Sequence, residues 1–294
     1  MNREHRTLPT LFLSLWIALL PLEAQTLSGT VAVAPQYGTT HVYVAPRDTD
    51  AFVASFLGTF GGASTKQVVT TVTPTPSSTT SQLLQTPSGN ISLFGFLTPI
   101  PYPFGSERTG LLVEDMDRAV TAARASGAEV VVQAFPDPIG RDAVLRFPGG
   151  LMTQIYWHTR PPSSPALAHP PENRIYVSPD AVTAFLHSYL QFSQGHVVND
   201  EAAAPGAEIG RTNYTYRRIH LASKFGKALV MVTDGILPFP YGLETTGYEV
   251  DDLDATLKRA TSFGAIILTP DAGAHSAMVR FPGGYIAEIH ASPR

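Results

Sequence analysis

Apolar and polar positions follow two rhythms along the chain, and the order of those rhythms recurs four times. Short runs rich in β-branched and aromatic residues come first: "HVYV" at 41–44, "TGLLV" at 109–113, "RIYV" at 174–177 and "TGYEV" at 246–250. Each reads as a strand. An Asp or Pro then opens a stretch with apolar residues three or four apart, as Met116, Val120 and Ala123 are, which marks a helix with one buried face. The spacing predicts helices over about 48–60, 116–126, 180–193 and 252–263, with Gly127 as the stop of the second. Apolar or alternating segments with turn residues complete each unit. The polar stretch "TTVTPTPSSTTSQ" at 70–82 is flanked by "KQVVTTV" and "QLLQT", so it reads as the loop of a long hairpin and not as a disordered linker.

The recurrence is a true duplication. "RFPGG" occurs at 146–150 and again at 280–284. Before it, Glu, Thr-Gly, Val, two Asp, Ala and Gly-Ala recur in the same order, in "ERTGLLVEDMDRAV…" from 107 and "ETTGYEVDDLDATL…" from 244. Upstream, "HVYVAPRDTDAFVASFL" matches "RIYVSPDAVTAFLHSYL", and "PYPFGSERTG" matches "PFPYGLETTG". Two copies follow, 37–160 and 172–292, joined by the Pro-rich linker 161–171. Whether the units pair within a copy or across copies is open at this level, as is the oligomeric state.

The N-terminus breaks the rhythm. A basic start ("MNREHR"), an apolar run ("LPTLFLSLWIALLPL") and a small Ala24 make residues 1–24 a secretory signal peptide, and predict an exported, periplasmic or extracellular protein. No later stretch is long and apolar enough to cross a bilayer, so no membrane association is expected after cleavage. The net charge of −4 offers no basic surface for nucleic acid. With no cysteine, disulfides, thiolate ligands and a cysteine nucleophile are excluded. A high content of Gly (24) and Pro (25) disfavours a mainly helical fold. No H-E-x-x-H, G-x-S-x-G, P-loop or G-x-G-x-x-G occurs, which removes zincins, elbow-type serine hydrolases and classical nucleotide enzymes.

A βαβββ unit used twice per copy, with V-x-D opening a helix and "RFPGGYIAEIH" closing the last strand, resembles the vicinal oxygen chelate superfamily, which includes glyoxalase I, extradiol dioxygenases and bleomycin-binding proteins. The resemblance covers nearly all of the chain after the leader. It implies an α+β fold of four βαβββ modules, forming two cup-shaped mixed sheets with the helices outside. "RFPGG" then makes the tight turn between the last two strands of each copy.

Strand alternation names the side chains inside the cups. One face carries Met152, Gln154, Tyr156 and His158; the others carry Glu288 with His290, His41 with Tyr43, and Arg174 with Tyr176. Tyr43, Gln154, Tyr156, His158, Arg174, Tyr176 and His290 are the expected ligand-binding residues. The resemblance further implies a divalent ion (Fe, Mn, Ni or Zn) on the first and last strands, at His41, Gln154 and Glu288. Neither cup has a full ligand set, and Arg174 stands where a histidine is expected. The alternative is metal-free: His41 bonded to Gln154, and Arg174 bonded to Glu288. Glu288, Glu107 and Glu244 are the candidate catalytic carboxylates, the last two read either as bases at a cup mouth or as turn residues bonding backbone. The aromatics of "PYPFG" and "PFPYG" line a ligand site or pack between modules. The expected partner is a small molecule. Its fate is turnover by a glyoxalase-like lyase, isomerase or dioxygenase acting on vicinal oxygens, or sequestration by a metal-free binding protein; degenerate cups serving only as structure are the third reading.

Overall fold

In this computed structural model the described residues are 29–160, 162–164, 166–269 and 275–292, so the leader expected at 1–24 lies outside them. The first copy contributes β1 (Thr39–Tyr43), α1 (Thr49–Phe60), β2 (Ala63–Ser64), β3 (Val68–Thr70), β4 (Thr79–Thr86), β5 (Gly89–Phe96), β6 (Arg108–Leu112), α2 (Met116–Ala125), β7 (Glu129–Asp137), β8 (Gly140–Arg146) and β9 (Met152–His158). The second contributes β10 (Glu172–Val177), α3 (Val182–Ser193), β11 (His196–Pro205), β12 (Thr215–Ser223), β13 (Gly226–Val232), β14 (Thr245–Val250), α4 (Leu253–Ser262), β15 (Ile266–Thr269), β16 (Ser276–Arg280) and β17 (Ile286–Ala291). The polar stretch at 70–82 turns back as a hairpin, with Val68, Val69 and Thr70 opposite Ser81, Thr80 and Thr79. Among the described residues no helix is long and apolar enough to cross a membrane.

Each copy folds into one mixed, open sheet, and the two sheets have the same strand order: β2-β4-β5-β1-β6-β9-β8-β7 and β11-β12-β13-β10-β14-β17-β16-β15. The modules therefore pair within each copy. They join where their first strands run antiparallel, which sets His41 opposite Arg108 and Arg174 opposite Thr245. The four helices fall within a residue or two of their expected bounds. Asp115 and Asp252 cap α2 and α4, accepting from the backbone N–H of Arg118 at 2.7 Å and of Ala255 at 2.9 Å. Such a cap contributes about 1 kcal/mol.

The helices lie on the convex backs of the cups, but they do not face solvent alone. α1 packs on α4 and α2 on α3, so each module of one copy backs onto a module of the other. Two apolar cores result, and each mixes residues of both copies. The repeated pentapeptide does more here than turn. Its Phe281 inserts against α1, with ring centroids 6.2, 5.3 and 6.2 Å from Phe52, Phe56 and Phe60. Phe147 of the first copy does the same to α3, 5.3 Å from Tyr189 and 5.6 Å from Phe192. The glycines serve the same docking. Gly283 has φ of +83°, and a Cβ on it would lie 2.5 Å from Cγ1 of Val44 in the other copy. A Cβ on Gly149 would approach Val177 to 3.2 Å. Only glycine at these two positions lets both turns sit this close; Gly150 and Gly284, which follow, have open space around a Cβ and are required by their positive φ alone.

Phe147→Ala and Phe281→Ala should each lower the free energy of unfolding by about 3–5 kcal/mol, since both rings are almost fully buried. Because they anchor separate clusters, the double variant should be additive to within about 0.5 kcal/mol in urea denaturation.

Candidate functional site

The first cup is sealed at one end by its own side chains. Phe94, Phe96, Phe104, Phe135 and Val144 form an apolar plug against which Tyr43 packs, its ring 5.4 Å from Phe94 and 5.9 Å from Phe96. Burial pushes the Tyr43 hydroxyl up to about 12. Tyr43 is thus part of the plug and does not line the cavity. Phe104 of "PYPFG" is buried 6.0 Å from Phe135, so packing between paired modules is its role, while Tyr102 of the same loop points to solvent. Beyond the plug lies a cavity of about 470 Å³, walled by Val72, Phe94 and Tyr156 and lipped by the exposed Val68 and Ile139. The interdomain linker reaches this mouth through Pro162 and Ser164.

His41 lines this cavity, 4% exposed, with Nδ1 lacking a hydrogen-bond partner. Its ring meets Phe94 edge-on at 5.4 Å and lies 6.2 Å from Tyr156. Burial and then the charge of Arg108 push its pKa down to about 3, against a small upward pull from Gln154. The imidazole is neutral at any ordinary pH. Gln154 is turned toward another residue: its Nε2 donates to Oδ2 of Asp142 at 2.8 Å, and its Oε1 is buried without a partner. Tyr156 donates its hydroxyl to the Tyr37 carbonyl, and His158 stands half-buried at the rim, its pKa lowered by desolvation. Arg108 is 1% exposed and is held by neutral groups, donating to the carbonyls of Pro103 and Ser106. Its guanidinium lies 5.5 Å from the Phe104 ring.

Asp142 escapes a reading based on the repeat, because its counterpart in the second copy is Ser276. The acidic position has changed strands between copies: Asp142 with Gln154 in the first, Ser276 with Glu288 in the second. Comparing register position by position, and not only identical letters, would have found it.

The second cup has a wider cavity, about 1080 Å³, and an ionic floor. Arg174 bonds Glu288 at 3.1 Å and Glu172 at 3.4 Å, and His290 Nδ1 lies 2.7 Å from Oε2 of Glu288. Burial raises the Glu288 pKa, but Arg174 and His290 outweigh it, so the carboxyl stays below its ordinary value. A second network, Arg218 with Glu208 at 2.5 Å and Glu201 at 2.7 Å, lines the same wall. Tyr176 packs among Tyr216, Leu229 and Met231, away from the cavity, as Tyr43 does in the first cup.

The divalent ion implied by the resemblance does not fit these residues. In the second cup a guanidinium bonds the carboxylate that would hold it. In the first, His41 and Gln154 lie beside the buried Arg108. Among the described residues no three His, Asp or Glu side chains converge as an ion would need.

Glu107 and Glu244 line neither cavity. They approach each other in the seam between the copies, where Oε1 of Glu244 lies 3.5 Å from the Thr109 hydroxyl and the hydroxyls of Thr40 and Thr246 lie 2.8 Å apart. The expectation of a general base at a cup mouth is therefore corrected: the antiparallel joining of β1 with β6 and β10 with β14 directs both carboxyls to the back of the cups. Burial raises Glu107 well above the carboxylate range, helped by the charge of Glu244. Burial also lifts Glu244 to about 7, with Asn173, Arg108 and Thr109 opposing.

Because Glu244 is raised in the fold, its contribution to stability is present below the unfolded pKa of about 4.3 and is lost as pH rises through about 7. Glu244→Gln should flatten this decline in urea titrations between pH 5 and 8. His41 works in the opposite sense. Its pKa is depressed, so its contribution is lost as pH falls from about 6.5 toward 3, and His41→Gln should remove that part of the acid lability. In the second cup, Glu288→Ala should cost roughly 3 kcal/mol by leaving the buried Arg174 with Glu172 as its one carboxylate, and combining it with Arg174→Met should restore part of the loss in thermal melts.

No known family profile matches this sequence, and no curated protein matches it. Solved structures do match. A variant of 4-hydroxymandelate synthase from Streptomyces coelicolor superposes with a TM-score of 0.61 at 14% identity, covering 89% of this chain and 92% of its own. Homoprotocatechuate 2,3-dioxygenase from Arthrobacter globiformis gives 0.54 at 11%, covering 90% and 82%. The 2,2',3-trihydroxybiphenyl 1,2-dioxygenase of Sphingomonas wittichii gives 0.52 at 12%, covering 90% and 91%. At these identities the likeness is one of fold, and it runs through both copies. With two mixed sheets of one strand order, each built from a pair of βαβββ modules, the chain has the vicinal oxygen chelate fold in its duplicated, two-domain form.

Proposed function

We propose that this chain is an exported small-molecule-binding protein that holds an uncharged, mainly apolar ligand in the first cup without a divalent ion. The observation that carries the reading is His41: a buried, neutral imidazole with an unpartnered nitrogen, facing the first cavity beside the rings of Phe94 and Tyr156. A neutral donor or acceptor in an aromatic pocket orients a ligand without demanding charge. The lyase, isomerase and dioxygenase alternatives each call for a ligand set that polarises neighbouring oxygens. Those positions hold His41 and Gln154 in the first cup, and in the second Arg174 bonded to Glu288. The second cup, with its carboxylates already bonded to Arg174 and Arg218, is the poorer host for an apolar molecule. The leader at 1–24 supports a role outside the cytoplasm.

The neutral fluorophore N-phenyl-1-naphthylamine should bind the purified mature protein saturably, with no change on adding EDTA or divalent ions. Ser92→Trp, on β5 at the cavity wall, should abolish that binding by filling the space. A stoichiometric metal in elemental analysis, or binding that needs added ion, would sink the reading.

A further inference from the structure

The two copies meet at a small chamber of about 40 Å³, lined by hydroxyl and amide groups of both. Two cross-strand pairs frame it: Thr40 opposite Thr109 where β1 meets β6, and Asn173 opposite Thr246 where β10 meets β14. In the repeat Thr40 is the counterpart of Asn173, and Thr109 that of Thr246, so the four stand about the pseudo-two-fold axis. Their bonding breaks that symmetry. On one side the hydroxyls of Thr40 and Thr246 bond each other at 2.8 Å. On the other, Asn173 is 8% exposed and its Oδ1 has no hydrogen-bond partner among the described residues. The Thr109 hydroxyl donates to Oε1 of Glu244 at 3.5 Å, which leaves its own oxygen able to accept. The charge beside the chamber is also unbalanced. Glu244 stands behind Thr109 and Asn173, close to Glu107 of the other copy. Arg108 offsets one of these two carboxylates through space, while its bonds go to the carbonyls of Pro103 and Ser106. Lys227 lies at the outer lip, half exposed and bonded to Glu249 at 3.3 Å. Two carboxylates against one guanidinium leave a single negative charge in a buried seam. A proton can meet that charge, and so can a metal ion seated on the free oxygens.

We propose that the seam between the copies binds one monovalent metal ion, sodium or potassium, on Asn173 Oδ1 and the Thr109 hydroxyl oxygen, with Glu244 and Glu107 supplying the charge from behind. The oxygens that face the chamber are neutral, which suits an ion of low charge density. A divalent ion calls for carboxylates in direct contact, and neither carboxyl lines the chamber. Its volume of about 40 Å³ exceeds the room that one water needs, so an ion fits with a water beside it. Pro170 and Pro171 of the linker border the chamber together with Lys227, and this solvent side is the way in. Bound there, the ion joins β6 of the first copy to β10 of the second. It is not the divalent metal sought in the first cup, and the proposal stands apart from the ligand of either cup.

The test is thermal melting of the mature protein at about pH 8, so that the proton does not compete for the carboxyls. Tetramethylammonium, sodium and potassium chlorides are compared at one ionic strength, which holds screening constant. Sodium or potassium should raise the midpoint by at least about 2 °C over tetramethylammonium. In Asn173→Leu and in Glu244→Gln that difference should fall below about 0.5 °C, whatever the stability of the variant itself. Asn173→Asp keeps the oxygen and should keep the difference. Equal midpoints in the three salts, an ion-specific shift that both Asn173→Leu and Glu244→Gln leave intact, or a shift that calcium alone produces overturns the proposal. Should those variants not fold, thallium(I) soaked into crystals of the unaltered protein decides: an anomalous peak beside Asn173 Oδ1 and the Thr109 hydroxyl supports the site, and no peak there overturns it.

Discussion

Everything in this structure depends on an aromatic ring crossing from one copy to the helix of the other. Phe281 wedges against Phe52, Phe56 and Phe60, and Phe147 against Tyr189 and Phe192. Each βαβββ module has one apolar helix face to cover. Back-to-back packing covers all four at once and leaves the concave faces of both sheets free. The turn that delivers each phenylalanine must approach the other copy closely, which is why a glycine stands directly after the proline in both pentapeptides. Once the backs are fixed in this way, the cups open away from the seam.

Freed from any part in holding the copies together, the two cups have diverged in chemistry on one scaffold. The second is a lattice of charged pairs, Arg174 with Glu288 and Glu172, Arg218 with Glu208 and Glu201. In the first, the two matching strand positions carry side chains without a fixed charge. A histidine stands where the second cup has Arg174, glutamine stands where it has Glu288, and the acid has moved to the neighbouring strand at Asp142. A guanidinium is still present, but Arg108 is sealed behind the wall by backbone carbonyls. Burial keeps His41 uncharged, and the nearby charge of Arg108 adds to it.

The seam shows the cost of duplication on a pseudo-two-fold axis. Glu107 and Glu244 are the same residue of the repeat, so symmetry brings like charge to like charge. Glu244 accepts hydrogen bonds from Asn173 and Thr109 and feels the charge of Arg108, but burial outweighs all three. The carboxyls therefore hold protons at pH values where an exposed glutamate would not. This opposes the behaviour of His41, so these two sites contribute to the pH dependence of the fold with contrary signs.

Much of the fold was legible in the letters. The 3.6-residue spacing, the capping aspartates at 115 and 252 and the duplicated pentapeptide gave the helices, the copies and the module order, because these depend on contacts close in sequence or on patterns repeated along it. Strand alternation also placed His41, Tyr156, Arg174, Glu288 and His290 on the concave faces, since side-chain direction in a strand has period two. Alternation could not say how far along the cup each side chain sits, so Tyr43 and Tyr176 were read as ligand-binding when they plug the closed ends. Nor could it tell which way Gln154 turns its amide, or that Glu107 and Glu244 meet behind the cups. The sequence by itself determined the modules, their order and which face each side chain takes. Only the tertiary structure decided that modules pair within copies, that the phenylalanines bind the copies together, and that Arg174 is tied to Glu288 in the second cup, because contacts between residues more than a hundred positions apart leave no local period to read.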